Sequence, residues 1–182
     1  SGLEVLERED SRYAFAVESA GAAPGLPAAA DALRILDGNP PYEDYITPEL
    51  YWSSAGGLQR TRTVAASGLF NYSMWSWCGQ QSENSVNTVN DYLQTLDGFE
   101  GEFPSMRFLL MTGHTDGGGN TLTRNNNMVR DHARDNGKVL YDFADIESWD
   151  PAGNHYPDTD DSCPWCESWC QSHPEDCQTL PV

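Results

Sequence analysis

A histidine and an aspartate stand two residues apart in a glycine-rich segment, and both residue types can carry out acid–base chemistry. The segment spans residues 113–120 and contains His114 and Asp116, and Asn120 ends it as a candidate substrate-binding residue. His114 could act as a base or a polar binding group, with Asp116 orienting its ring. The alternative is that the glycines permit a tight turn into a helix that Asp116 caps. The sequence leaves both interpretations open.

A second candidate segment contains a glutamine that follows a glycine. The side-chain amide of Gln80 and the backbone N–H of Gly79 could both donate to an oxyanion, although an ordinary turn explains them equally well. Trp77 could line the adjoining cleft. Trp75 and Trp77 as a pair are more typical of a protein core.

Acidic residues near the C-terminus are weak candidates for calcium binding, because Ca²⁺ prefers carboxylate oxygens. The chain has no acidic loop with the spacing of a known calcium motif, so a solvated acidic surface is the simpler explanation and no cofactor is required. The candidates are Asp142, Asp145, Asp158 and Asp160.

The periodicity of apolar residues predicts the elements that must position these side chains. Residues 70–77, 107–112 and 139–143 are short β-prone or apolar runs, and each of the first two is followed by a helix-like pattern, over 85–96 and 121–135. This order predicts a βαβαβ unit with a parallel sheet, and we expect an α/β, flavodoxin-like fold. Ligands of such sheets bind beyond the carboxyl ends of the strands, which here are followed by 77–80, 113–120 and 142–145.

The N-terminal part has weaker patterns. We expect a helix ending near residue 8, a strand over 12–17, and helices over 27–36 and 58–66. Residues 1–150 are predicted to form the α/β domain, and residues 151–182 an acidic, cysteine-rich tail.

Charge and cysteine content restrict the possible partners and the compartment. The net charge of −18, from 28 acids and 10 bases, argues against nucleic acid and anionic lipid as partners. The sequence has no apolar run of about 20 residues, so we expect no membrane insertion. The tail cysteines favour a disulfide-stapled, secreted protein over a Cys₄ metal site. Cys78 lies outside the tail and makes the number of cysteines odd. The tail cysteines are Cys163, Cys166, Cys170 and Cys177.

Several long motifs carry a resemblance to a known family. They are MWSWCGQ at 74–80, MTGHTDG at 111–117, the segment 124–131 and KVLYDFADIESWDP at 138–151. With the tail, they resemble secreted bacterial proteins related to the SGNH (GDSL-like) hydrolases. The resemblance implies a three-layer α/β/α fold and cleavage of esters or acetyl esters on an extracellular carbohydrate or lipid.

The resemblance also implies particular site residues. Gly56 or Gly57 would be the oxyanion glycine after the second strand, and Gln80 would stand at the position of the family's asparagine. The family's serine block and D-x-x-H motif have no counterpart in these residues, and we expect the serine block to lie upstream of Ser1.

Two other functions are compatible with the same sequence. One is a non-catalytic extracellular protein that binds carbohydrate or self-assembles through the aromatic segment 40–52, which includes Tyr42, Tyr45, Tyr51 and Trp52. The other, a metal-dependent hydrolase using His114, Asp116 and the 142–145 acids, is weaker because its ligand set is incomplete.

Overall fold

The computed structural model describes residues 2–19, 27–39, 45–116 and 119–174. Its elements are α1 (Gly2–Glu9), β1 (Phe15–Ser19), β2 (Leu33–Asp37), α2 (Pro48–Tyr51), α3 (Ala55–Ala66), β3 (Tyr72–Met74), α4 (Val86–Glu102), β4 (Arg107–Met111), α5 (Asn120–Asn136), β5 (Leu140–Tyr141), α6 (Phe143–Glu147) and α7 (Pro164–Ser172). Short 3₁₀ helices cover Ser11–Tyr13 and Gly79–Ser82. This arrangement confirms the α/β class.

The chain divides into two compact units. The first comprises Ser1–Asn71 with Gly98–Met106, and the second Tyr72–Asp97 with Arg107–Val182. This division differs from the sequence-based boundary at residue 150, because the described tail belongs to the same unit as the central strands.

The first unit contains a two-stranded parallel sheet. β1 pairs with β2 in a register that runs from Phe15 opposite Leu33 to Ser19 opposite Asp37. The helix predicted over 27–36 is therefore wrong. Its Ala-rich start favours a helix locally, but pairing with β1 overrides that weak preference. The helix predicted over 58–66 is confirmed as α3, which begins earlier because Ser54 Oγ accepts a hydrogen bond from the N–H of Gly57.

The second unit contains the predicted βαβαβ arrangement. β3, β4 and β5 are parallel and lie in that order, with α4 and α5 as the two connections. Trp75 and Trp77 pack edge-on, 4.8 Å apart, and the ring of Tyr92 on α4 contacts both. These rings and the buried Phe108 and Leu110 form the core beneath the carboxyl edge of the sheet.

The two outer strands of this sheet are partly open to solvent. Tyr72, Met74 and Tyr141 are exposed, whereas Leu110 and Met111 on the central strand are buried. A sheet with helices on both faces would bury such residues. The outer strands of this sheet are therefore covered less completely than its central strand.

The described tail packs onto the end of α6. Trp165 at the start of α7 is buried, and its indole Nε1 donates to the backbone oxygen of Glu147 at 3.0 Å. Within the described ranges, no helix combines the length and apolarity needed to cross a membrane.

Candidate functional site

Residues 112–116, here called the β4 loop, follow the central strand and are held by contacts to several elements. Thr112 Oγ1 donates to Asp142 and accepts from the N–H of Ala144, both at 3.1 Å. The N–H and hydroxyl of Thr115 both donate to Glu147 Oε2, at 2.8 and 3.1 Å. The loop is thus fixed on both sides of His114.

His114 has its imidazole held in one tautomer. Its Nδ1 lies 2.7 Å from the backbone oxygen of Thr115, and a carbonyl oxygen can only accept a hydrogen bond. Nδ1 must therefore carry the proton, which leaves Nε2 as the basic nitrogen of the neutral ring. The Asp161 carboxylate lies 3.9 Å from Nδ1, and the histidine side chain is 12% exposed.

Asp161, rather than Asp116, lies beside the ring. The backbone of Asp116 forms an isolated antiparallel bridge with Asp160, and its side chain is exposed. The capping alternative is not observed either, because Gly119 occupies the N-cap position of α5 without a side-chain hydrogen bond.

A buried amide network supports the β4 loop from α5. The N–H of Gly113 donates to Asn126 Oδ1 at 2.9 Å, and Asn126 Nδ2 donates back to the Gly113 oxygen at 3.1 Å. Asn125 Nδ2 donates to the backbone oxygens of Gln81 and Asn84, at 2.8 and 2.9 Å. The network joins the segments that follow β3 and β4.

Gly113 is required by close packing against this network. A Cβ at this position would lie 2.6 Å from the Cβ of Gln81, a residue that is fully buried. Gln81, Asn125 and Asn126 were not predicted as site residues, although the segment 124–131 carries part of the resemblance. The signal was available, because both asparagines share the inward helical face with Leu122 and Val129.

Asp142 belongs to an ion pair with Arg130. Both its oxygens accept from Arg130, at 2.6 and 2.8 Å, and it caps α6 through the N–H of Asp145. Burial acts to raise the pKa of Asp142, but Arg130 and the hydrogen bonds from Asp145 and Thr112 outweigh it, so the pKa is lowered.

This pair predicts an acid-dependent loss of stability. The lowered folded-state pKa means that the ionised Asp142 stabilises the fold above the ordinary aspartate pKa, and this stabilisation is lost as the pH falls through the lowered value. We expect Asp142→Asn to reduce the free energy of unfolding by about 1–3 kcal/mol at neutral pH and by less in acid. Urea titrations at several pH values would measure this.

The matched control is Asp131→Asn, which removes an exposed carboxylate paired with Arg134. It should change the free energy of unfolding by no more than about 1 kcal/mol. Equal losses for the two variants, or an Asp142→Asn loss that does not change with pH, would contradict the assignment.

Three acidic residues and a disulfide-bonded cysteine line a small surface pocket beside the β4 loop. Its lining residues are Glu147, Asp160, Asp161 and Cys163. The hydroxyl and N–H of Ser162 donate to Asp160 and lower its pKa. The sequence already groups Glu147 with Asp142 and Asp145 in the acidic cluster after the last strand, at the carboxyl edge where ligands bind.

The predicted oxyanion segment forms a 3₁₀ helix. Gly79 begins it and is exposed, and Gln80 Oε1 accepts the N–H of Cys78 at 2.8 Å. Trp77 is 2% exposed, so its ring belongs to the core and is not available to stack on a ligand. Asn120 is the exposed first residue of α5.

Gly56 and Gly57 do not follow a strand. They lie in the first turn of α3, in the first unit, where a Cβ on Gly57 would approach the Glu49 oxygen to 2.4 Å. The packing of α3 against α2 thus explains Gly57. The two glycines thus do not stand after a strand as the resemblance implied, and their oxyanion role stays a prediction.

The remaining acidic candidates have no metal-binding arrangement. Asp145 Oδ1 accepts from the indole of Trp149, and Asp158 is exposed. Across residues 2–19, 27–39, 45–116 and 119–174, no group of three or more His, Cys, Asp or Glu side chains could hold a metal ion. Calcium binding stays a prediction.

One disulfide joins Cys163 to Cys166, and Cys170 is also disulfide-bonded. Cys177 lies outside the described residues. Cys78 is free and exposed. The described part of the tail thus contains at least one disulfide.

The aromatic segment 40–52 contains both buried and exposed rings in its described part. Tyr51 and Trp52 are buried, and Tyr45 is exposed. Tyr42 lies outside the described residues.

Comparison with known proteins identifies no relative of this chain. No family model, curated protein or solved structure matches the chain.

Proposed function

We propose that the second unit is a hydrolytic domain that cleaves esters, such as acetyl esters of an extracellular carbohydrate or lipid, with His114 as general base. The observation that carries the proposal is the hydrogen bond from His114 Nδ1 to the Thr115 oxygen, since it leaves Nε2 basic. The position of the histidine after the central strand of a parallel sheet supports it further. The resemblance to SGNH hydrolases and their three-layer fold is part of the same proposal.

The reaction uses Nε2 to activate water. Water attacks the acyl carbon while Nε2 removes its proton, and the alcohol then leaves with that proton, so acid and alcohol are released and the base is regenerated. The Asp161 carboxylate at 3.9 Å stabilises the transient imidazolium. The N–H of Gly79 is our candidate donor to the oxyanion.

The strongly negative charge restricts the substrate. With a net charge of −18 and three carboxylates around the adjoining pocket, anionic esters are repelled. Neutral acyl groups on sugars or other alcohols suit this environment.

The test is hydrolysis of a neutral reporter ester and of an acetylated polysaccharide by the full chain. We expect turnover of both probes. Para-nitrophenyl acetate and acetylated xylan are suitable probes. Absence of acetate release above the buffer rate from both probes would overturn the proposal.

A second candidate, carbohydrate binding without catalysis, is favoured by Trp149. This residue is 43% exposed, its Nε1 donates to Asp145 at 3.2 Å, and its ring stacks on His155 at 4.5 Å. Asp150 fixes the following turn by accepting from Asn154 and from the Tyr156 hydroxyl. A rigid exposed indole loses little entropy when it stacks on a sugar ring.

We expect Trp149→Ala to weaken binding to a soluble polysaccharide about tenfold or more, because exposed tryptophans commonly dominate such contacts. Affinity electrophoresis in gels containing xylan would measure it. Tyr72→Ala, at an exposed aromatic residue on β3, is the control that should bind like the wild type. Equal binding by both variants would exclude Trp149 as the stacking residue.

A further inference from the structure

The disulfide between Cys163 and Cys166 occupies the N-terminus of α7. Cys163 is the N-cap residue, Pro164 follows it and Cys166 lies in the first turn. Cys163 is half-buried and lines the surface pocket, whereas Cys166 is only 6% exposed. One partly exposed and one buried cysteine is the arrangement of a thiol–disulfide exchange site, because an incoming thiolate attacks the sulfur of the more accessible cysteine and expels the other.

A structural role explains this bond poorly. The two cysteines are three residues apart, and a cross-link that closes so short a loop removes little entropy from the unfolded chain. Hydrogen bonds already tie the segment, because the N–H of Cys163 donates to the Asp160 oxygen at 3.0 Å and that of Cys166 to the Cys163 oxygen at 2.9 Å.

The backbone at the more accessible cysteine is also unusual. Cys163 has φ 50° and ψ 65°, and among the described residues it alone has a positive φ without being glycine. Such a conformation is costly for a residue with a side chain, and it occurs preferentially at functional positions.

We propose that Cys163–Cys166 is a thiol–disulfide exchange site that prefers thiols without additional negative charge. The thiolate of an external thiol attacks Sγ of Cys163, the sulfur–sulfur bond breaks, and Cys166 leaves as a thiolate that takes a proton from water. A second external thiolate attacks the external sulfur of the mixed disulfide, which releases Cys163 and an external disulfide. Two external thiols are oxidised, and the protein disulfide gains two electrons and two protons.

The preference follows from the carboxylates around the more accessible cysteine. Glu147, Asp160 and Asp161 line the pocket together with Cys163. A thiol that carries a sulfonate approaches with two negative charges in its thiolate form, whereas the thiolate of an aminothiol has no net charge. At low ionic strength the pocket repels the sulfonate-bearing thiolate far more strongly than the aminothiolate.

The experiment compares reduction of the full chain by cysteamine and by 2-mercaptoethanesulfonate at equal thiolate concentrations. Samples are quenched by alkylation and mapped by mass spectrometry, with the free, exposed Cys78 as the internal standard. We expect the Cys163–Cys166 pair to be reduced roughly tenfold faster by cysteamine in low salt, with a smaller ratio in high salt. It should also be reduced before the disulfide of Cys170.

Two variants test whether the carboxylates cause the preference for cysteamine. Asp161→Asn removes a carboxylate that is 66% exposed, so the fold should tolerate it and the ratio between the two thiols should fall. Asp131→Asn, which lies on α5 and does not line the pocket, should leave the ratio unchanged. Equal rates with both thiols would overturn the proposed selectivity, and reduction that occurs only on global unfolding would overturn the exchange site itself.

Discussion

Replacing His114 by glutamine is expected to reduce ester hydrolysis by about 10²–10⁴-fold, which is the usual contribution of a positioned general base. The β4 loop should keep its shape, because the hydrogen bonds of Thr112 to Asp142 and of Thr115 to Glu147 do not involve the imidazole. The glutamine side chain cannot accept a proton from water, because an amide is not a base at neutral pH. The value of kcat/KM on para-nitrophenyl acetate would measure the effect.

His132→Gln provides the matched control. His132 lies on α5, and its Nε2 is 3.1 Å from Asp97, away from the residues that contact the β4 loop. Its variant should keep full activity and the wild-type pH dependence. A His114→Gln protein with unchanged kcat/KM would show that His114 is not the base, even if the domain proves to be an esterase.

Much of the second unit could be predicted from the sequence, because its signals are local. Val89, Leu93 and Leu96 recur on one face of α4, and the apolar run of β4 is bounded by polar segments. Once the strands are known to be parallel, their carboxyl ends must meet at one edge, which places His114 there. These steps require no knowledge of distant contacts.

The partners of His114 could not be predicted in the same way. Asp161 reaches His114 because the tail folds back, and Trp165 fixes the tail to Glu147 at the end of α6, the residue that also binds Thr115. Such contacts between distant segments leave no periodic pattern in the sequence. Asp116 is nearer in sequence, but its backbone pairs with Asp160 and its side chain is exposed.

The incorrect prediction of a helix over 27–36 has the same physical cause, a contact between segments that are distant in sequence. Local composition favours a helix there, whereas the strand β2 exists because β1 supplies its hydrogen-bonding partners. Propensity is a weak preference that sheet pairing overrides.

Replacing Asn126 by alanine is expected to lower the free energy of unfolding by about 2–5 kcal/mol. Its amide satisfies both the N–H and the carbonyl of Gly113, at 2.9 and 3.1 Å, and both residues are buried. Alanine would leave a donor and an acceptor without partners where water has little access. Urea unfolding at neutral pH would measure the loss.

Asn87→Ala is the control, since Asn87 is an exposed residue on α4, and we expect a change within about 0.5 kcal/mol. A second measurement separates stability from positioning. Well below the unfolding midpoint, where Asn126→Ala is still folded, its kcat should also fall, because Gly113 precedes His114 and the amide pair fixes the start of the β4 loop. A variant that is less stable but keeps full kcat when folded would show that Asn126 supports the fold alone, and that Thr115 and Glu147 suffice to position the base.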